Sequence, residues 1–405
     1  MLVREGYKQT EIGVIPEGWE VTSVRDLTKL TSGKFNPKKN LLDTKSIEYK
    51  YPVYGGNGLT GYFDDFLIEN PSIIIGRVGE YCGSVHLVNE PVWITDNAIY
   101  LKEVSDKVNL NFLFEVFTSI GIENLAERTG QPKITQEPIY SLKIPLPPLP
   151  EQQKIAAILT SVDNKIAVID EQIAKTEQLK KGLMQKLLSE GIGHTAFKES
   201  EIGRIPKEWE VVRLRDIADV KGGKRLPKGH KLVETQTPYP YIRVRDMYMG
   251  GIKTDDIIYV PEEVQPKIKN YTIAKDDLFI SVAGTLGLVG AVPDELDGAN
   301  LTENADKLTN IKSDKIFLLY VLMSNLIQDI IVKETTTNAQ PKLALTRIKT
   351  FLIPLPPINE QKQIATILST TDNKLNTLRK KKSRYEKLKK GLMQKLLTGE
   401  VRVKI

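Results

Sequence analysis

Lys180-Lys181-Gly182-Leu183-Met184-Gln185-Lys186-Leu187-Leu188 is written again as Lys389-Lys390-Gly391-Leu392-Met393-Gln394-Lys395-Leu396-Leu397, 209 residues later. Two further pairs frame it. Ile144-Pro145-Leu146-Pro147-Pro148-Leu149 returns as Ile353-Pro354-Leu355-Pro356-Pro357-Ile358 at the same offset. Thr10-Glu11-Ile12-Gly13-Val14-Ile15-Pro16-Glu17-Gly18-Trp19-Glu20-Val21 returns as Ser200-Glu201-Ile202-Gly203-Arg204-Ile205-Pro206-Lys207-Glu208-Trp209-Glu210-Val211 at an offset of 190. The chain is one unit repeated, and the second copy is 19 residues longer between its tryptophan and proline motifs. Two copies at this spacing make a duplicated domain, because solenoid repeats recur every ~20–50 residues.

The segment before each repeated lysine motif carries a heptad stripe. In the first copy it runs Ile155, Leu159, Val162, Ile166, Ile169 and Ile173, continuing through Thr176 and Lys180 to Leu183 and Leu187. In the second it runs Ile364, Leu368, Thr371, Leu375, Leu378, Lys382, Tyr385, Lys389, Leu392 and Leu396. Alternating spacings of four and three are those of a coiled-coil seam. Each helix is expected to run about 35–38 residues, roughly 55 Å. A single narrow stripe cannot close a core by itself. The other copy is the natural partner, tethered at high effective concentration, and two copies about a pseudo-two-fold axis bring the helices together antiparallel. The prolines before each helix hold an extended approach and block helix extension backwards.

Bulk composition bounds the rest. The chain has 405 residues, 40% hydrophobic and 27% charged, which suits a globular protein of several domains. It has no apolar run of about 18 residues, so no membrane span is expected. Its N-terminal residues lack an apolar core of the secretory type. A single cysteine, Cys82, and three scattered histidines exclude a disulfide framework and make a structural zinc site unexpected. These features together suggest a cytoplasmic protein. The net charge is +6, yet residues 360–397 hold eleven Lys/Arg against three acids, so the rest of the chain is slightly acidic. Any nucleic-acid footprint must therefore come from local patches. The run Arg379-Lys380-Lys381-Lys382 is either a solvated helix face or a surface facing phosphates or an acidic partner.

The segments between these markers read as strand-rich α/β or α+β with mixed sheets. Strands are expected at 72–75, 92–94 and 99–101, then at 241–244 and 278–282. Helices are expected around 111–118 and 316–329. Four short stretches correspond between copies: Ser32-Gly33-Lys34 with Gly222-Gly223-Lys224, Gly76–Gly79 with Ser281–Gly284, Thr95–Ala98 with Thr302–Ala305, and Gly130–Lys133 with Ala339–Lys342. The residues between them diverge. Divergent loops on a shared frame suit the reading of two different targets. Arg, Asn and Gln present bidentate donors and acceptors to base edges, and Lys suits phosphate. The candidates are Lys34, Asn36, Lys38, Lys39, Asn57, Arg77, Gln131 and Lys133 in the first copy. In the second they are Lys224, Arg225, Lys228, Arg243, Arg245, Asn338, Gln340 and Lys342. Arg243 and Arg245 are expected to share one face of a strand. Gly55-Gly56-Asn57-Gly58 reads as a turn, and Trp19 and Trp209 as core anchors.

Catalytic signatures are missing. Gly33-Lys34 and Gly223-Lys224 lack the remainder of a phosphate-binding P-loop. There is no Asn/Asp-Pro-Pro-aromatic tetrad, nucleophile elbow or zinc-protease motif. Asp64-Asp65 and Asp255-Asp256 lack the lysine spacing of a metal-dependent nuclease. The chain reads as a recogniser and not as a catalyst.

Taken together, the paired Ile-Gly-x-Ile-Pro-x-x-Trp-Glu-Val entries, Ile-Pro-Leu-Pro-Pro-x-x-x-Gln exits and Lys-Lys-Gly-Leu-Met-Gln-Lys-Leu-Leu helix ends closely resemble the specificity subunit of type I restriction–modification systems. The resemblance spans essentially the whole chain. It implies target-recognition domains at 1–150 and 191–359, a central spacer helix at 151–190, and a C-terminal spacer helix and tail at 360–405. It further implies that each domain reads one half of a split DNA site. The helices would dock modification subunits, two of them, and restriction subunits would join through the complex. No cofactor is expected in this chain; S-adenosylmethionine, ATP and Mg are expected in the partner subunits. Two other readings stay open on the residues alone: a coiled-coil adaptor that binds protein, and a DNA-modifying enzyme with unrecognised motifs. Two similar domains on a rigid spacer imply half-sites about one helical turn apart, roughly 10 bp.

Overall fold

The heptad stripes fold as two long helices, Leu149–Ser189 and Ile358–Leu396. Each begins two residues before the expected start, at 151 or 360. Pro150 fits the first turn because the N–H it lacks has no intrahelical partner there. In this computed structural model, residues 4–35, 41–335 and 342–405 are described. The chain forms two compact units, Met1–Glu171 with Lys380–Ile405, and Gln172–Arg379. A unit is therefore one globular domain plus the near half of one long helix and the far half of the other.

In the first unit, four antiparallel strands stand in the order Thr28–Ser32, Ala98–Val104, Ser72–Gly76 and Val85–Val88. A second sheet orders Gly58–Phe63, Tyr51–Gly55 and Trp93–Ile94, its last pair parallel. The second unit repeats the scheme with Asp219–Gly222, Ala305–Thr309, Leu278–Ser281 and Val289–Ala291. Its mixed sheet orders Ile258–Tyr259, Pro240–Ile242, Ala299–Leu301 and Thr272–Ile273. The expected mixed sheets are present in both copies. The expected helix at 316–329 is two helices, Lys315–Met323 and Asn325–Thr335, interrupted at Ser324. No single helix among the described residues is long and apolar enough to cross a membrane.

The long helices are built into the domain cores as well as facing each other. In the first unit, Ile155, Leu159, Leu396 and Leu397 pack with Trp19, Phe112 and Phe117. In the second, Leu187, Leu188, Ile364 and Leu368 pack with Trp209, Phe317 and Phe351. Of the seam residues, Ile155, Leu159, Val162, Ile169, Leu187, Ile364, Leu368, Leu375, Leu378 and Leu396 are buried; Ile166, Ile173, Leu183, Tyr385 and Leu392 are half-buried.

The stripe's lysines explain how it survives its own weak centre. In the first unit Lys389 Nζ lies 2.6 Å from Asp163 and Lys382 Nζ 2.7 Å from Asp170. In the second, Lys180 Nζ lies 2.6 Å from Asp372 and Arg379 2.6 Å from Glu177. Within each unit the partner number falls as the helix number rises, so the pairing is antiparallel. Each seam lysine meets an acid across the seam, which offsets its desolvation.

A polar lock, repeated in both units, fastens the globular domain to its helix. The Trp19 indole donates to Glu151 Oε2 at 3.0 Å, and Arg402 donates twice to the same carboxylate, at 2.6 and 2.8 Å. The Trp209 indole donates to Glu360 at 3.0 Å, and His194 takes the place of the arginine at 2.9 Å. The next residue is a glutamine in both copies. Gln152 donates to the Pro147 and Lys107 carbonyls at 2.8 and 2.9 Å, and accepts from Asn109 N–H at 2.8 Å. Gln361 donates to the Pro356 carbonyl at 2.7 Å and accepts from Asp314 N–H at 2.8 Å. Asn109 and Asp314 are the N-caps of helices Leu110–Ile120 and Lys315–Met323.

Candidate nucleic-acid interface

Three of the stretches shared between the copies meet at one end of the main sheet in each unit, joined by Gly130–Lys133 in the first and by the segment at Leu343 in the second. Antiparallel register dictates this: Ile99 faces Ser32 and Ala98 faces Gly76, so Gly33, Arg77 and Asn97 leave the sheet together. Backbone hydrogen bonds then tie the loops. Gly33 N–H donates to Ala98, Lys34 to Ile94, Arg77 to Asn97 and Ile134 to Arg77, at 2.8–3.0 Å. The second unit repeats each bond: Gly223 to Ala305, Lys224 to Leu301, Val282 to Asn304 and Leu343 to Val282, at 2.7–3.0 Å. An aromatic side chain completes each cluster, Trp93 donating to the Lys34 carbonyl at 3.3 Å and Tyr241 to the Lys224 carbonyl at 3.0 Å. Gly33 and Gly223 are required by close approach. A Cβ at either would collide with the carbonyl of Thr95 or Thr302.

What the clusters present differs. In the first unit Lys34, Lys133 and Gln131 are exposed, and Arg77 is half-buried with Nη1 3.5 Å from the Asp96 carbonyl. Gly55-Gly56-Asn57-Gly58 is the hairpin turn, and exposed Asn57 has its carboxamide beside Gly79. Lys133 pairs with Glu127 at 3.3 Å. In the second unit Val282 is buried where the first has Arg77. Lys224 and Lys342 are exposed, and Arg225 lies 2.5 Å from Glu303. Burial pushes the Glu303 carboxyl up, but Arg225 and Thr302 more than offset it, leaving it below the usual range. Lys228 is exposed in the loop beyond.

Arg243 and Arg245 do not share a strand face. The strand stops at Ile242, and Arg243 caps a single turn, Val244–Asp246. Asp246 causes the turn by accepting Arg243 N–H at 2.8 Å and its guanidinium at 2.8 and 2.9 Å. Arg243 is thus a half-buried structural residue, also bonded to the Asp256 carbonyl. Arg245 is exposed and pairs with Asp256. Asn36, Lys38, Lys39, Asn338 and Gln340 lie outside the described residues.

Sequence reasoning missed Glu151 and Glu360 and gave no role to Gln152 and Gln361, which end the proline-rich motif; together they hold each domain on its helix. Their signal was present: Glu-Gln recurs at the proline-rich helix starts with the offset of 209. It also missed Glu115 and Tyr320, which reach the seam acids and lysines from the domain side. Lys389 lies 3.2 Å from Glu115, and Tyr320 donates to Asp372 at 2.7 Å. Burial pushes the Glu115 carboxyl up to about 7 against the opposing pull of Lys389. Burial, then the Asp372 carboxylate, pushes the Tyr320 phenol up.

Comparison with known proteins agrees with this geometry. The family profile described as type I restriction modification DNA specificity domain matches residues 16–178 and again 206–387. The type I restriction enzyme MjaVIII specificity subunit of Methanocaldococcus jannaschii is 29% identical over 99% of this chain and 97% of its own length. The EcoBI specificity subunit of Escherichia coli is 22% identical over 96% and 87%. Among solved structures, the type I restriction–modification S subunit from M. genitalium shares the fold, with a TM-score of 0.67, 20% identity and 98% of each chain covered. A domain duplicated with its spacer helix, its shared loops gathered at one sheet end in each copy, places this chain in the DNA specificity family of type I restriction–modification systems.

Proposed function

We propose that this chain is the non-catalytic DNA-reading subunit of a type I restriction–modification complex, each loop cluster reading one half of a bipartite, asymmetric site. The observation that carries this reading is the pair of clusters with identical backbone bonding and different side chains. A conserved frame fixes where loops meet a duplex, and differing side chains give different sequence preference. Lys34, Lys133, Lys224 and Lys342 suit phosphates; Asn57, Arg77, Gln131 and Arg245 suit base edges. Exposed ion pairs such as Arg245–Asp256 are weak, so the arginine is available for exchange to DNA.

Methyl transfer, with S-adenosylmethionine, would reside in modification subunits that dock on the paired helices. ATP and Mg would serve restriction subunits in the same complex. The test incubates purified chain with labelled S-adenosylmethionine and genomic DNA, with and without type I modification subunits. Transfer only in their presence supports the reading. Transfer by the chain alone makes it an enzyme and overturns it.

A further inference from the structure

We infer that the outward face of the second long helix, residues 380–395, is a sequence-independent docking surface for a DNA phosphate backbone. The inference rests on the reading of this chain as a DNA-binding subunit. Lys380, Arg384, Lys387 and Lys395 are all exposed. At 100° per residue they fall within an arc of about 80°, centred about 120° around the helix from the seam residues Leu378, Tyr385 and Leu392. They span about 22 Å of helix at 1.5 Å per residue. No anionic partner for any of the four is found among the described residues, whereas the neighbouring Lys382 and Lys389 are each paired with acids. Lys381 and Lys390, also exposed, flank the arc.

The fold does not require this charge. Lys380 and Arg384, four residues apart, are like charges on adjacent turns, an arrangement that disfavours a helix. The first copy places Glu171 and Lys175 at the same two positions, a pair of favourable sign, and Gln178 where the second has Lys387. The first copy forms its long helix with a nearly neutral face at these positions, so the fold does not depend on the cations of the second. The chemistry favours phosphate over protein as the occupant. Lysine is depleted at protein–protein interfaces, which draw on aromatic, methionine and arginine anchors. This face has one large apolar residue, Leu388, among its cations. Lysine ammonium groups suit phosphates as point charges.

The experiment uses the full chain assembled with its modification subunits, wild type and the quadruple variant K380Q/R384Q/K387Q/K395Q. Binding is measured to a duplex bearing the complex's own modified site and to one scrambled in both halves, from 50 to 200 mM salt. Four lost phosphate contacts are expected to lower the salt slope by about 3 to 4 and to weaken both duplexes equally, leaving their affinity ratio unchanged. A helix signal equal to wild type by circular dichroism shows that the fold is intact. An unchanged slope overturns the inference, and if modification subunits also fail to co-purify the face belongs to them. Failure of the wild type to distinguish the two duplexes would instead sink the DNA-reading function itself.

Discussion

Replacing Gln152 with alanine should loosen the first domain from its helix by about 3 kcal/mol. Gln152 is fully buried and makes three hydrogen bonds, to Pro147, Lys107 and Asn109. Each such bond contributes about 1 kcal/mol net, and an orphaned buried group costs about 1–3 kcal/mol. Gln361, with two described bonds, should cost about 2 kcal/mol. In a unit of this size, 3 kcal/mol corresponds to about 6–12 °C in melting temperature. Gln152→Met keeps the volume and removes only the bonds, which separates hydrogen bonding from cavity formation. Hydrogen exchange by mass spectrometry reads the two units separately. Peptides covering 107–113 and 145–153 should lose protection in the first variant, with 310–318 and 354–362 unaffected. A Gln152→Met chain within 0.5 kcal/mol of wild type would refute the claim that this lock fastens domain to helix.

Three further outcomes follow from the same contacts. Glu115, whose carboxyl is raised to about 7 from an ordinary 4.5, binds its proton more readily folded than unfolded, so its contribution to stability is full below about pH 4.5 and declines towards pH 7. Glu115→Gln should flatten the stability–pH curve across that window in urea titrations; an unaltered slope contradicts its burial as the cause. Asp256→Asn frees Arg245 and removes the negative charge paired with it, so binding to scrambled DNA should tighten several-fold while Asp255→Asn, equal in charge, does less; equal effects would reduce Asp256 to a net-charge contribution. Leu368→Ala, at a fully buried seam position, should cost about 2–5 kcal/mol, read by urea denaturation.

The repeats, the heptads and the proline boundaries were legible because each rests on a local rule: a period, a ring without a donor, a spacing. Trp19 and Trp209 were legible as anchors for the same reason. The lock was not legible, because Glu151 and Gln152 at a helix start resemble ordinary solvent-facing N-terminal residues until the Trp19 indole and the Asn109 cap arrive from more than forty residues away. The partners of the seam lysines were not legible, since only the antiparallel register puts Asp163, Asp170 and Asp372 opposite them. Arg243 misled because strand period was extended across a turn that Asp246 creates through its own side chain. Three of the shared loops correspond in structure as they do in sequence, but their convergence depends on strand order, which periodicity does not specify.

The central claim is that the two loop clusters read different halves of one site. It is tested most directly by methylation mapping of genomic DNA from cells carrying this chain and its modification subunits, as wild type, Arg77→Ala and Arg245→Ala. The account predicts a single bipartite asymmetric motif for the wild type, relaxed in one half by Arg77→Ala and in the other half by Arg245→Ala. Both variants relaxing the same half, or a wild-type motif without two parts, would contradict it.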